Sequence, residues 1–190
     1  MQGQRNSNLN EIGRRQAEGH GRLLATLGID AVHVSPLDRA MQTAAIVRRF
    51  VPLEARVDAR IMEWDCGLWS GQLRADVRLR WAREWAALES DPYHYRGPGC
   101  ENYPDMIARS RPFLDELLAS DDRRIAVISH GMIGRIMVGI LMDFDEATMI
   151  GFKQPNDVVY RVRLSAEGRG ERVLDHFVSG AGPHAGIVPR

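Results

Sequence analysis

Three side chains of this 190-residue sequence are of types that handle phosphate, and each lies beside a change in backbone pattern. His130 ends the run Ile125-Ala126-Val127-Ile128-Ser129-His130-Gly131, where an apolar extended stretch gives way to helical spacing. The free N–H groups of a helix starting at Gly131 would face an anion with the helix dipole behind them. Arg39 falls in the first helical turn of Ser35-Pro36-Leu37-Asp38-Arg39-Ala40-Met41-Gln42-Thr43-Ala44, where its planar fork can take two phosphate oxygens at once. Glu63 precedes Trp64-Asp65-Cys66-Gly67-Leu68-Trp69-Ser70-Gly71. A carboxyl near a bound phosphate can keep its proton and pass it to a leaving alkoxide, so general acid is its candidate role. Singly, each residue also reads as an ordinary surface charge or structural histidine.

These residues need elements to hold them. Asn10 caps and Gly28 stops an amphipathic helix carrying Ile12, Leu23, Leu24 and Leu27. Ile29 to Val34 is a short β-branched strand, and Asp38 to Phe50 resumes helical spacing. An extended piece begins at Val57, Gly67 to Gly71 is loop, and Gln72 to Leu88 is predicted as one helix with Trp81 and Trp85 on a core face. The Gly-, Pro- and Tyr-rich stretch from Asp91 to Tyr103 is the candidate lid, and Pro104 opens a further helix. Within that loop Tyr93, His94, Tyr95 and Arg96 suit a phosphorylated sugar or nucleotide, though an exposed loop explains them as well.

Arg124 to Ser129 reads as a strand buried on both faces, and Met132 to Met142 as the helix leaving it. Val158 to Leu164 and Arg172 to Val178 are strands joined through Ser165-Ala166-Glu167-Gly168, with a loose tail from Gly180. Strands alternating with helices imply a mostly parallel sheet covered on both faces, whose ligands bind at the carboxyl ends of the strands. Ser35 and His130 both fall there, and residues 1–190 read as a single domain.

Composition removes several function classes. The 25 basic and 25 acidic side chains cancel, so no general field would gather nucleic acid or an anionic membrane. Only Lys153 among the basic residues is lysine. No stretch has the apolar length of a membrane span or the core of a signal peptide, which predicts a soluble protein. Cys66 and Cys100 have no close metal-ligand spacing, and a reducing cytoplasm is the expected compartment.

The blocks Leu9-Asn10-Glu11-Ile12-Gly13-Arg14-Arg15-Gln16-Ala17, Ser35 to Ala44, Glu63 to Gly71, Pro98-Gly99-Cys100-Glu101-Asn102 and Ser129-His130-Gly131 resemble, in order, those of the histidine phosphatases, or phosphoglycerate-mutase-like proteins. The resemblance spans almost the whole chain. It implies a three-layer α/β/α sandwich around a mostly parallel sheet, with Arg39, His130 and Gly131 on the phosphoryl group and Glu63 as proton donor. Gln2 and Gly3 match a segment lining the family's pocket and are weaker substrate-contact candidates. No metal or other cofactor is implied, because arginines can neutralise the phosphate oxygens. The implied partner is a small phosphorylated metabolite or phosphate, and a homodimer stays open.

The family's Arg-His-Gly motif, whose histidine attacks phosphorus, lies upstream of a segment like Met1-Gln2-Gly3. This sequence does not contain it. Of His20, His33, His94, His176 and His184, only His33 is near enough to a strand end to approach the pocket, and core packing explains it as well. The absent strand is central in the family, so its loss would leave backbone groups unpaired. The expectation is therefore that the sequence is shortened at its start. The full-length protein is then a phosphomonoester hydrolase working through a phosphohistidine, and the 190-residue chain is inactive or nearly so. The alternatives are a variant that binds phosphorylated ligands or a protein partner without turnover, and a phosphoglycerate mutase. The mutase is disfavoured because Met132-Ile133 stands where mutases carry Asn-Ser.

Overall fold

A computed structural model describes residues 1–165, 172–178 and 183–186. Helix α1 (Glu11–Leu27) begins where the Asn10 side chain accepts the Gly13 N–H and ends at Gly28, as the capping pattern predicts. Strand β1 (Ala31–Val34) leads through Ser35 into α2 (Asp38–Val47), and β2 (Ala55–Val57) pairs parallel with β1. The extended piece thus ends at Val57 rather than starting there. Arg56 and Val57 are exposed on this edge strand, so no apolar alternation marks it.

The predicted helix from Gln72 to Leu88 is two helices, α3 (Arg74–Arg80) and α4 (Ala82–Ser90), broken at Trp81 with φ −125° and ψ 43°. No glycine or proline marks the break. It lets Val77 of α3 and Trp85 of α4 share one buried cluster with Trp69, whose ring centroid lies 5.9 Å from that of Trp85. Helix α5 (Tyr103–Ala119) starts with a capping box between Asn102 and Asp105.

Strand β3 (Ile125–Ile128) pairs parallel with β1, giving the order β2-β1-β3. Helices α6 (Gly131–Met142) and α7 (Glu146–Gly151) follow, and then β4 (Val158–Leu164), β5 (Arg172–Val178) and β6 (Pro183–Ala185) form a separate antiparallel sheet. The tail expected to be loose from Gly180 therefore contains a strand, β6, which pairs with β5. The turn at Ala166-Glu167-Gly168 lies outside the described residues.

Alternation along β1 and β3 sorts the layers. Val32 and Ala126 pack with Leu24 and Val47 against α1 and α2, while on the opposite face Val127 packs with Phe113, Leu114 and Met137 of α5 and α6. The result is an α/β fold with seven α-helices among the described residues. Helix α6 also packs Val138 against Phe152 and Leu174, which ties the second sheet to the first.

One expectation changes. β3 was predicted to be buried on both faces, yet only Ala126 is fully buried and its neighbours are half-buried. The reason is positional: β3 has β1 on one edge, and no described strand pairs with the other. No helix among the described residues is long and apolar enough to cross a membrane.

Candidate active site

Parallel pairing aligns Val34 with Ile128, so the chain leaves β1 and β3 side by side. Ser35 follows one strand and His130 the other. The Ser35 N–H donates to the Ile128 carbonyl at 3.0 Å, and its side chain is fully buried. Its Oγ lies 2.8 Å from His130 Nε2. On the other side of the ring, Arg39 Nε donates to His130 Nδ1 at 3.1 Å. Arg39 is in the first turn of α2, which swings its guanidinium back over the strand ends.

The remaining Arg39 donors hold the start of the chain. Nη1 donates to the Arg5 carbonyl and Nη2 to the Gly3 carbonyl, both at 2.9 Å. Gly3 has φ +54°, and a Cβ there would come within 2.9 Å of Cys66 Sγ, so both its backbone conformation and its space call for glycine. The Gln2 side chain instead bonds to Ser7, and Gln4 reaches the Glu63 carbonyl at 3.0 Å.

Glu63 faces the start of α6. Its carboxylate accepts from the Met132 and Ile133 N–H groups, each at 3.3 Å, and from the Trp64 N–H at 2.8 Å. The helix N-terminus thus favours its negative charge. That charge acts on Arg39 and opposes the burial that lowers the guanidinium from its usual range. His130 is pushed down to about 3, first by burial and then by the charges of Arg39 and Arg109, so the imidazole is neutral.

Arg109 is a residue that sequence reasoning passed over. Its Nε and Nη2 meet the two Glu101 oxygens at 2.8 Å each, while Nη1 donates to the carbonyls of Arg60 and Met62 at 2.8 and 3.0 Å. Glu101 in turn accepts the Asp65 N–H at 2.9 Å. This network fixes the backbone on both sides of Glu63. Only the position of an arginine in α5, eight residues beyond Glu101, could have suggested it. Ser35 was placed at a strand end but given no chemistry.

The other histidines do not join the site. His33 packs edge-on against Phe113 with centroids 5.4 Å apart, and burial followed by the Arg56 charge lowers its pKa. His94 bonds to Asp91, and His176 stacks on His184.

A half-buried arginine against a neutral histidine, with a carboxylate at the adjoining helix start, is a candidate site for a tetrahedral oxyanion. The chain matches the sequence model of the histidine phosphatase superfamily, branch 1, over residues 1–176. It belongs to the histidine phosphatase superfamily. Within that superfamily it is 31% identical over 183 residues to a 2,3-bisphosphoglycerate-dependent phosphoglycerate mutase of Methylobacterium sp. (strain 4-46), covering 91% of this chain and 88% of the relative. It is 34% identical over 149 residues to the glucosyl-3-phosphoglycerate phosphatase of Mycobacterium tuberculosis (strain ATCC 25618 / H37Rv), covering 69% of this chain and 62% of the relative. The native structure of a mycobacterial glucosyl-3-phosphoglycerate phosphatase superposes with a TM-score of 0.79 at 26% identity, over 95% of this chain and 92% of that one. The phosphoglycerate-mutase-like fold expected from the sequence is therefore the fold of this superfamily member.

Proposed function

We propose that this histidine phosphatase hydrolyses a small phosphomonoester, with the attacking imidazole supplied by a residue outside these 190. The observation that carries the reading is the paired placement of Arg39 and His130 at two adjacent strand ends, with Glu63 at the helix start beside them. Arg39 and the Gly131 N–H bind the phosphoryl oxygens, and His130 stabilises the transferring group. Glu63 hands its proton to the leaving oxygen.

A nucleophile is needed for the covalent route, in which imidazole nitrogen displaces the alcohol and water then cleaves the phosphoramidate. None of His20, His33, His94, His176 and His184 contacts Arg39 or His130 through a hydrogen bond or ring contact among the described residues. The edge of β3 with which no described strand pairs is the natural seat for a strand that would deliver it, since such an edge is a template for pairing.

The relatives' substrates, phosphoserine and glucosyl-3-phosphoglycerate among them, favour a phosphorylated small metabolite. The mutase relative supports a second reading, phosphoryl exchange on phosphoglycerate, against which Met132-Ile133 stands where mutases carry Asn-Ser.

The test compares the 190-residue chain with a version extended at its start by an Arg-His-Gly strand, using a generic aryl phosphate and 3-phosphoglycerate. The extended protein is expected to release phosphate from the aryl ester, with an acid-labile phosphoenzyme, while the 190-residue chain does not. Turnover by the 190-residue chain that depends on His130 would overturn the external nucleophile. Isomerisation of phosphoglycerate faster than hydrolysis would favour the mutase.

A further inference from the structure

The hydrogen bonds at His130 decide which ring nitrogen does what. Arg39 Nε always carries its proton, so at 3.1 Å from His130 Nδ1 it makes that nitrogen an acceptor with a free lone pair. A neutral imidazole then keeps its single proton on Nε2, which donates to Ser35 Oγ at 2.8 Å. Ser35 is 0% exposed and is fixed by its own N–H on Ile128, so it cannot follow a ring that swings.

The charged groups bearing on this ring come from three elements. Arg39 of α2 and Arg109 of α5 both act on His130, and Glu63, before the Trp64 loop, acts on Arg39. Arg109 is paired with Glu101, but the Arg39 guanidinium lies directly against the ring and disfavours a second cation there. A bound tetrahedral oxyanion reverses that balance. Arg39 Nε would turn from Nδ1 toward an anion oxygen, and the freed Nδ1 could offer a second donor only by taking a proton from solvent.

We propose that Ser35 is a positioning residue that holds His130 with Nδ1 toward the phosphate position, and that oxyanion binding is coupled to uptake of one proton at Nδ1. The inference rests on the phosphate-site reading above but not on turnover or on the source of the nucleophile. In the covalent balance nothing else changes: the proton comes from water or buffer, and the oxyanion keeps its charge.

Sulfate is the probe, because it does not titrate between pH 5 and 8. Calorimetry on the 190-residue chain at pH 6, in buffers of different ionisation enthalpy, should show uptake of close to one proton per sulfate. Sulfate affinity should fall as pH rises over that range, by at most about tenfold per pH unit, the limit that one linked proton sets. Nitrogen-15 spectra of His130 should show the Nε2–H tautomer in the free protein and an imidazolium at saturating sulfate. Ser35→Ala should weaken sulfate binding about tenfold by removing the acceptor of a charged N–H, with circular dichroism unchanged.

A neutral ring in the saturated complex, an Nδ1–H tautomer in the free protein, or unaltered sulfate affinity in a folded Ser35→Ala would each overturn the inference. Sulfate binding without proton uptake would do so while leaving the phosphate site standing. No sulfate binding at any pH would remove both.

Discussion

Arg39 and His130, 91 residues apart in the chain, meet through a 3.1 Å hydrogen bond from the guanidinium Nε to the imidazole Nδ1. The same guanidinium holds the Gly3 and Arg5 carbonyls, so one side chain serves both the candidate oxyanion site and the start of the chain.

Arg39→Lys should therefore fail on two counts. A lysine ammonium cannot reproduce three divergent contacts from one plane. Inorganic phosphate affinity is expected to drop at least tenfold, and hydrogen exchange of residues 3–8 should quicken. Unchanged exchange there would show that the N-terminal segment is held by other contacts.

Arg109→Ala should destabilise the protein by about 2–4 kcal/mol, because it strands the half-buried Glu101 carboxylate and two backbone carbonyls together. Urea unfolding gives the number. Replacing Glu101 by Gln as well should recover part of the loss, since the uncompensated charge goes with it.

Gly67→Ala should be more damaging than its small size suggests. Gly67 has φ +48°, and an added Cβ would lie 2.3 Å from the Gly99 carbonyl carbon and 2.4 Å from the Pro98 oxygen. Those atoms are backbone and cannot rotate away, so the two loops must part. A fall in Tm of several degrees is expected. A melting curve matching the parent would mean that the loops are not packed together in solution.

Acid should destabilise the fold over a defined window. His20, His33 and His130 are all lowered, in each case first by burial. The unfolded chain then binds protons at these positions before the folded one does. Their contribution is fully present above the ordinary histidine value of about 6.5 and is lost as pH falls toward the folded values, about 3 for His130. Each group sets an upper slope of about 1.4 kcal/mol per pH unit, less where solvent screens it. Thermal melts between pH 7 and 4 should show a shallower decline in His33→Phe if its ring only packs on Phe113.

Glu63→Gln, in a form of the protein that turns over an aryl phosphate, should cost more for esters with poor leaving groups than for activated ones. General acid help of about 10²–10⁴-fold is at stake only where the departing oxygen needs a proton. Equal losses on both substrates would assign Glu63 to positioning of α6 instead.

Local chemistry was enough to place much of this protein from its sequence. Asn10 and Gly28 bound α1 because capping is decided within a few residues, and the apolar run before His130 marks a strand because periodicity is local. The ordered blocks around Arg39, Glu63 and His130 likewise carried the resemblance to the histidine phosphatases before any contact was known. Long-range packing decided the rest. The break at Trp81 has no local cause and follows from burying Val77 and Trp85 in one cluster. β6 lies in a stretch with no apolar pattern and exists by pairing with β5. That no described strand pairs with the second edge of β3 depends on which strands become neighbours. The tautomer of His130 was equally invisible, because it is set by Ser35 and Arg39 from two places on another strand and helix. Sequence alone marked which groups are candidates for phosphate. Only tertiary structure decided which hydrogen bonds each His130 nitrogen makes, because hydrogen-bond direction depends on atoms brought together from distant parts of the chain.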